Sequence, residues 1–308
     1  MRKLLIIISG LLASVPFLFG QGTDALTFTR FDRNPATSAF AGAGSASILN
    51  TAYSAFSNAS VLPFYEGKMD ASVSYQHWSP ALAKASHINA GAAFKISPRI
   101  GVSLGYALQR GSAYDVIDEQ GISGGSFSPS QQLIALGIGV GLGEKLSIGA
   151  NARYALQQLT VANRYTGFSG DLFLAYQATT GLRFTAGIST LGTKVISQDG
   201  SSFGQPASAK AGCEAVIRFS DAHTLSVLAD ADYYFAGGLS AAAGLQYAWN
   251  DLLFLRGGYR HSDQRCVIPN HAAMGLGVQL AGFRLEVSYL TASPALGNTL
   301  SAGLGYRF

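Results

Sequence analysis

The sequence predicts an all-β protein: a transmembrane antiparallel β-barrel of about 14 strands with an N-terminal plug-like segment. Three observations carry that prediction: composition, period-two alternation and the order of the connections. Of the 308 residues, 48% are hydrophobic and only 12% charged, about half the ~25% charge of an average soluble domain. Glycine fills 37 positions, about 12% against a usual ~7%. Mean hydropathy is +0.22, yet beyond the N-terminus no run approaches the ~20 apolar residues of a membrane-spanning helix. Hydropathy spread this thinly is what alternation of apolar with small or polar residues produces. It argues against disorder and against an ordinary soluble enzyme.

The chain opens on Met1-Arg2-Lys3 followed by an apolar run from Leu4 to Phe19, the pattern of a secretory signal peptide over residues 1–20. Cleavage is expected at Gly20-Gln21, and no cysteine follows to carry a lipid. Loss of Arg2 and Lys3 lowers the formal net charge from +4 to +2. An isoelectric point near 9.0 therefore carries little weight, and no basic run points to nucleic acid. Residues 21–67 lack strand alternation after Phe31 and are rich in Ala, Ser and Gly. They are expected to form a plug or short helical hatch inside a barrel built from residues 68–308.

Read with period two, that remainder divides into fourteen strands. The first seven are Lys68–Trp78, Ser86–Ile96, Ile100–Arg110, Gln131–Leu142, Lys145–Gln157, Phe168–Gln177 and Gly181–Leu191. The others are Ala207–Phe219, His223–Phe235, Gly238–Trp249, Leu252–His261, His271–Leu280, Gly282–Leu290 and Thr299–Phe308. Most match the ~9–11 residues that cross a membrane at a tilt. Alternation alone would also suit a half-buried soluble sheet; the connections decide. Short links such as Ser97-Pro98-Arg99, Gly143-Glu144 and Asn250-Asp251 alternate with longer ones at 111–130, 158–167, 192–206, 262–270 and 291–298. Short periplasmic turns, longer outer loops and an even strand count define the outer-membrane pattern, with both termini periplasmic. On the apolar register, Tyr75, Tyr106, Tyr154, Tyr233, Tyr259 and Tyr289 fall at one end of the strands. Tyr176, Tyr247, Trp249, Tyr306 and Phe308 fall at the other, as two interfacial girdles require.

The opposite register faces the lumen and carries the charges. They are Asp70, Lys95, Arg153, Asp171, Arg183, Lys210, Glu214 and Arg218, then Asp230, Asp232, Arg256, Arg260, Arg284, Glu286 and Arg307. Facing lipid at mid-depth, each would cost ~2–4 kcal/mol, so they must point inward. The mixture of signs favours a cross-linked interior over an ion-selective pore, with a path or site for a lipid-like ligand as the alternative. Other inward positions are small: Gly101, Gly105, Ala135, Gly137, Gly139, Gly141, Gly275 and Gly277 among them. These either leave room for the N-terminal segment or relieve strain in a curved sheet. Cys213 is placed on the lipid face and Cys266 in a loop, too far apart to bridge, so both are expected as free thiols. The cluster from Arg260 to Cys266, with His271, reads as a solvated loop and not as a catalytic triad, which depends on geometry and not on adjacency. His77, His87 and His223 stand singly. No catalytic, metal or cofactor site is expected, and no cofactor.

Residues 36–46 read Ala-Thr-Ser-Ala-Phe-Ala-Gly-Ala-Gly-Ser-Ala, and residues 50–60 read Asn-Thr-Ala-Tyr-Ser-Ala-Phe-Ser-Asn-Ala-Ser. This opening resembles that of the PorV/PorQ family, within the wider FadL-like fourteen-stranded outer-membrane barrels. Gly42, Gly44 and Asn58 occupy the matching plug-motif positions. Thr37, Thr51 and Ser60 depart from it, standing where the family has Arg, Asp and the alanine of Asn-Pro-Ala, whose proline is Ala59 here. Tyr306 and the terminal Phe308 resemble the aromatic-ended insertion signal of such barrels. The resemblance implies a non-enzymatic component of type IX protein secretion, with the translocon and cargo C-terminal signal domains as partners. The FadL-like relatives imply an alternative, a channel passing hydrophobic small molecules. A structural subunit of another outer-membrane complex is a third expectation, and membrane lipid is a partner in all three.

Overall fold

The computed structural model describes residues 24–49, 51–78, 84–117, 120–197, 199–291 and 298–308. The expected signal peptide lies outside the described residues. The wall opens with β1 (Met69–Trp78), β2 (Ala85–Ser97) and β3 (Ile100–Gly111). A loop hairpin of β4 (Tyr114–Ile117) and β5 (Ser123–Phe127) precedes β6 (Ser130–Gly141), β7 (Leu146–Gln158), β8 (Arg164–Thr179) and β9 (Leu182–Gly192). A second loop hairpin, β10 (Val195–Ile196) with β11 (Ser202–Phe203), leads to β12 (Ser208–Arg218), β13 (His223–Tyr234) and β14 (Leu239–Trp249). The chain ends on β15 (Leu253–Ser262), β16 (His271–Leu280), β17 (Phe283–Thr291) and β18 (Thr299–Arg307). Setting aside the two hairpins, fourteen strands close into one antiparallel barrel. Closure comes from β18 pairing with β1, from Asp70 opposite Arg307 to His77 opposite Leu300.

Alternation is the organising rule of the wall. Along β14, Leu239, Ala241, Ala243, Leu245, Tyr247 and Trp249 are exposed while the residues between them are buried. Leu255, Leu276, Leu285, Leu304 and Val73 continue this outer band on neighbouring strands. A continuous exposed apolar belt is stable only against hydrocarbon. Tyr75, Tyr106, Tyr233 and Tyr259 edge the belt near the long loops; Tyr176, Tyr247, Trp249 and Phe308 edge it near the short turns. Two of those turns have both central residues left-handed: Asn250-Asp251 (φ 53° and 51°), followed by Leu252 before β15 opens, and Ala281-Gly282 (φ 50° and 83°), the whole of the link between β16 and β17. This geometry matches the strand twist and holds register tightly.

Residues 24–49 and 51–66 lie inside. A short helix, Pro35–Ala39, starts where Asn34 Oδ1 accepts from Ala36 N at 2.9 Å. Two 3-10 helices follow, Thr51–Phe56 and Ala59–Phe64, the second capped by Asn58. Leu26, Phe28, Tyr53 and Phe56 pack on Leu133, Ala135 and Ala155 of the wall and form the largest apolar cluster. The inward glycines make that approach possible. A Cβ at Gly105 would lie 2.4 Å from the Phe56 ring, at Gly139 2.1 Å from Ala59 O, and at Gly258 2.3 Å from the Phe40 carbonyl carbon. At these positions room for the segment, and not relief of curvature, explains the small residue.

Several boundaries differ from the sequence reading. β8 begins at Arg164, four residues before the expected Phe168, because Arg164 to Gly167 extend the pairing with β7 beyond the apolar belt. The two hairpins inside the long loops were not expected at all.

Candidate functional site

The wall charges meet the N-terminal segment group by group. Asp232 on β13 binds Arg30 at 2.7 Å, and Lys210 and Arg260 approach it to 3.4 and 3.6 Å. Asp230, also paired with Lys210, accepts from Ser45 N at 3.0 Å and Ser45 Oγ at 2.8 Å. Glu214 takes Arg183 at 2.9 Å and the Ser47 hydroxyl at 2.8 Å. Asp70 takes Arg284 at 2.9 Å and the Thr51 hydroxyl at 3.0 Å, with Arg307 at 3.7 Å. Arg260 Nε donates to Ala41 O at 2.8 Å, Arg307 donates to Leu49 O at 2.7 Å, and the Lys95 ammonium to Tyr65 O. Arg256 pairs with Glu286 at 3.1 Å, and Arg153 with Asp171. Charges withdrawn from water need this density of partners to be tolerated.

Arg218 is the exception. It occupies the inward parity of β12 but is exposed at the short-turn end, beyond the reach of the interior network. Lys95 and Arg307 are partly buried, at that same end.

The plug-motif residues have structural tasks. Gly42 (φ +83°) sits against the Arg260 guanidinium, and Gly44 (φ +152°) against the Thr37 methyl. Asn58 Oδ1 accepts from Ser60 N at 2.9 Å while its amide donates to Ser45 O at 2.8 Å, tying two turns of the segment together. Tyr306 packs on Phe283 with ring centroids 4.8 Å apart, and Lys68 lies 5.9 Å from the Phe308 ring. Both cysteines are free; partial burial pushes the Cys266 thiol, in the loop after β15, above its ordinary range. Around it, Ser262 bonds Ser240 at 2.7 Å and Asp263 accepts from Leu239 N at 2.7 Å, so those groups are engaged separately. Among the described residues no cluster of His, Cys, Asp and Glu could hold a metal.

Between segment and wall a cavity of about 160 Å³ remains. Phe31, Trp78 and His87 border it toward the long loops, their ring centroids 5.5 to 6.3 Å apart. Phe40, Phe56, Val61 and Leu290 supply further apolar lining. Five cations also line it: Arg30, Arg33, Arg153, Lys210 and Arg260. Against them stand Asp32 and Asp232 in the lining, with Asp171 and Asp230 paired to Arg153 and Lys210 from behind. Among the described residues Arg33 has no carboxylate within ion-pair distance; its guanidinium donates to Phe28 O at 2.8 Å, Phe31 O at 2.6 Å and Thr29 O at 3.3 Å.

A second recess, about 550 Å³, opens on the outer face among Ile134, Leu136, Tyr154, Phe168 and Leu191. Arg153 borders both spaces. Beside it β9 bulges, its register against β8 shifting between Gly170 and Leu172, with Thr190 at φ 59°. Asp171 Oδ1 pins the bulge through Thr190 N at 2.7 Å and the Ser189 hydroxyl at 3.2 Å. Bulges commonly re-aim side chains beside functional openings.

The strand parity did not reach Arg30, Asp32 and Arg33, which lie on the segment. A usable signal existed: they are the only charged residues between positions 25 and 65, and charge isolated in an apolar stretch needs a reason.

A closed fourteen-stranded barrel with an apolar belt and an N-terminal segment packed inside it is the fold of the FadL-like outer-membrane barrels. Comparison with solved structures gives that fold its particular neighbours. The toluene transporter TbuX of Ralstonia pickettii matches with a TM-score of 0.59 and 12% identity, over 89% of this chain and 97% of that one. The Pseudomonas putida toluene transporter TodX matches with a TM-score of 0.57 and 16% identity, over 93% and 98%. A Pseudomonas aeruginosa FadL homologue matches with a TM-score of 0.54 and 10% identity, over 93% and 100%. The likeness is one of fold. No protein-family model and no curated protein matches the sequence.

Proposed function

We propose that this protein is an outer-membrane channel for small hydrophobic molecules, its long loops facing outward and both termini periplasmic. The observation that carries the reading is the arrangement of the two spaces. One lies between segment and wall, the other is an apolar recess on the outer face, and Arg153 borders both. A solute of low polarity entering among the long loops would reach the cavity, and displacement of Arg153 beside the β9 bulge would connect it to the membrane. The neighbours described as toluene transporters support the reading.

The type IX adaptor reading rests on residues 36–60. Within that stretch Gly42, Gly44 and Asn58 serve the packing of the segment, a task any barrel of this fold sets, so the match favours neither function over the other. The test is uptake of radiolabelled toluene by cells expressing the protein, compared with cells lacking it. Faster uptake supports the channel. Equal uptake, together with co-purification of translocon components under mild detergent, would favour the adaptor.

A further inference from the structure

We infer that the internal cavity is a binding site for a compact monoanion, a single-ring carboxylate of benzoate size, with Arg33 as the group that receives the carboxylate. The inference rests on the channel reading and specifies the solute. Size comes first: about 160 Å³ is close to the ~150 Å³ that admits a benzene ring in a protein interior. A long acyl chain exceeds it, whereas one ring with one small substituent does not. Next comes shape and chemistry. Phe31, Trp78, His87, Phe40 and Phe56 offer ring faces and edges on several sides of the space, and aromatic side chains recognise rings by offset or edge contacts.

Charge completes the argument. Arg33 is the lining arginine that makes no ion pair among the described residues, neighbouring Asp32 acting on it only from beyond ion-pair distance. It is also deeply buried, 6% exposed, and its guanidinium lies 5.1 Å from the Phe56 ring. Backbone carbonyls satisfy part of its hydrogen-bonding capacity without neutralising it. A buried guanidinium outside any ion pair favours a carboxylate over a neutral isostere. The Trp78 indole N–H also has no acceptor among the described residues.

The sequence has two tryptophans, Trp78 and Trp249, and Trp249 is on the outer belt. In the folded W249F protein in detergent micelles, Trp78 emission therefore reports on the cavity alone. Titration with benzoate should give a saturable change, at least tenfold tighter than with benzamide, its uncharged counterpart. R33Q should bring benzoate to the level of benzamide and leave toluene unaltered, while R33K keeps most of the preference. Equal affinities for benzoate and benzamide in the unaltered cavity would overturn the inference without any reliance on the folding of the Arg33 variants. Toluene uptake without benzoate binding would remove this inference and keep the channel. Benzoate binding without accelerated uptake of either compound would keep the site and remove the channel.

Discussion

Removing the Asp232 carboxylate should release the upper part of the N-terminal segment. Asp232 is 1% exposed and bonds Arg30 at 2.7 Å, the tie that holds residues 27–34 against β13. Breaking a buried pair by deleting one partner costs about 3–5 kcal/mol, because the remaining charge stays buried without compensation. If the loss falls on local opening of the segment, the open population rises about 10²–10⁴-fold, since each 1.4 kcal/mol is a factor of ten. Trypsin reads this directly, because opening exposes the bonds after Arg30 and Arg33. In D232A, cleavage at these sites should accelerate by that factor while the barrel strands stay intact. R30L/D232L removes both charges and should return cleavage after Arg33 close to the original rate. Lys210 keeps Asp230 at 3.1 Å, and Arg260 keeps Ala41 O and Ser240 Oγ at 2.8 Å, so neither is stranded in the double variant. Unchanged cleavage in D232A, or a double variant as open as the single one, would refute the reasoning.

G258V should push the Phe40 backbone away, since even a Cβ would stand 2.3 Å from its carbonyl carbon; faster cleavage at Arg30 and Arg33 and a lowered unfolding temperature are the expected readouts. L276R places a charge in the middle of the apolar belt, on a residue 61% exposed there, and should cost ~2–4 kcal/mol in equilibrium folding into lipid vesicles. Cys266 should react with a membrane-impermeant maleimide on intact cells, with a rate that climbs as pH rises toward its raised pKa, because the thiolate is the nucleophile. Cys213, packed on the outer face of β12 opposite Phe184 and Ala229, should stay unlabelled by the same reagent.

The wall was legible because a barrel writes its two faces into the sequence with period two. Phe283 to Tyr289 alternate in the sequence as they do in exposure along β17. What parity cannot express was missed. The β4–β5 hairpin contains Ser123-Gly124-Gly125-Ser126, a run with no apolar face to sort, standing clear of the membrane. Arg218 obeys the parity of β12 but lies past the depth at which parity decides burial. Asp70, Glu214 and Asp230 were recognised as inward, yet their partners Thr51, Ser47 and Ser45 come from a segment whose path no periodicity reveals. For the same reason the cavity, and Arg33 within it, emerged only from three-dimensional packing.

The central claim is that the N-terminal segment fills and obstructs the lumen. Single-channel conductance in planar bilayers, comparing the full protein with a variant lacking residues 31–60, tests it most directly. The deletion removes Phe40, Phe56 and Asn58 and uncovers the inward glycines they pack against. The account predicts large, ohmic steps for the deletion variant and none of that size for the full protein. Equal conductance of the two, with both folded as closed barrels, would contradict it.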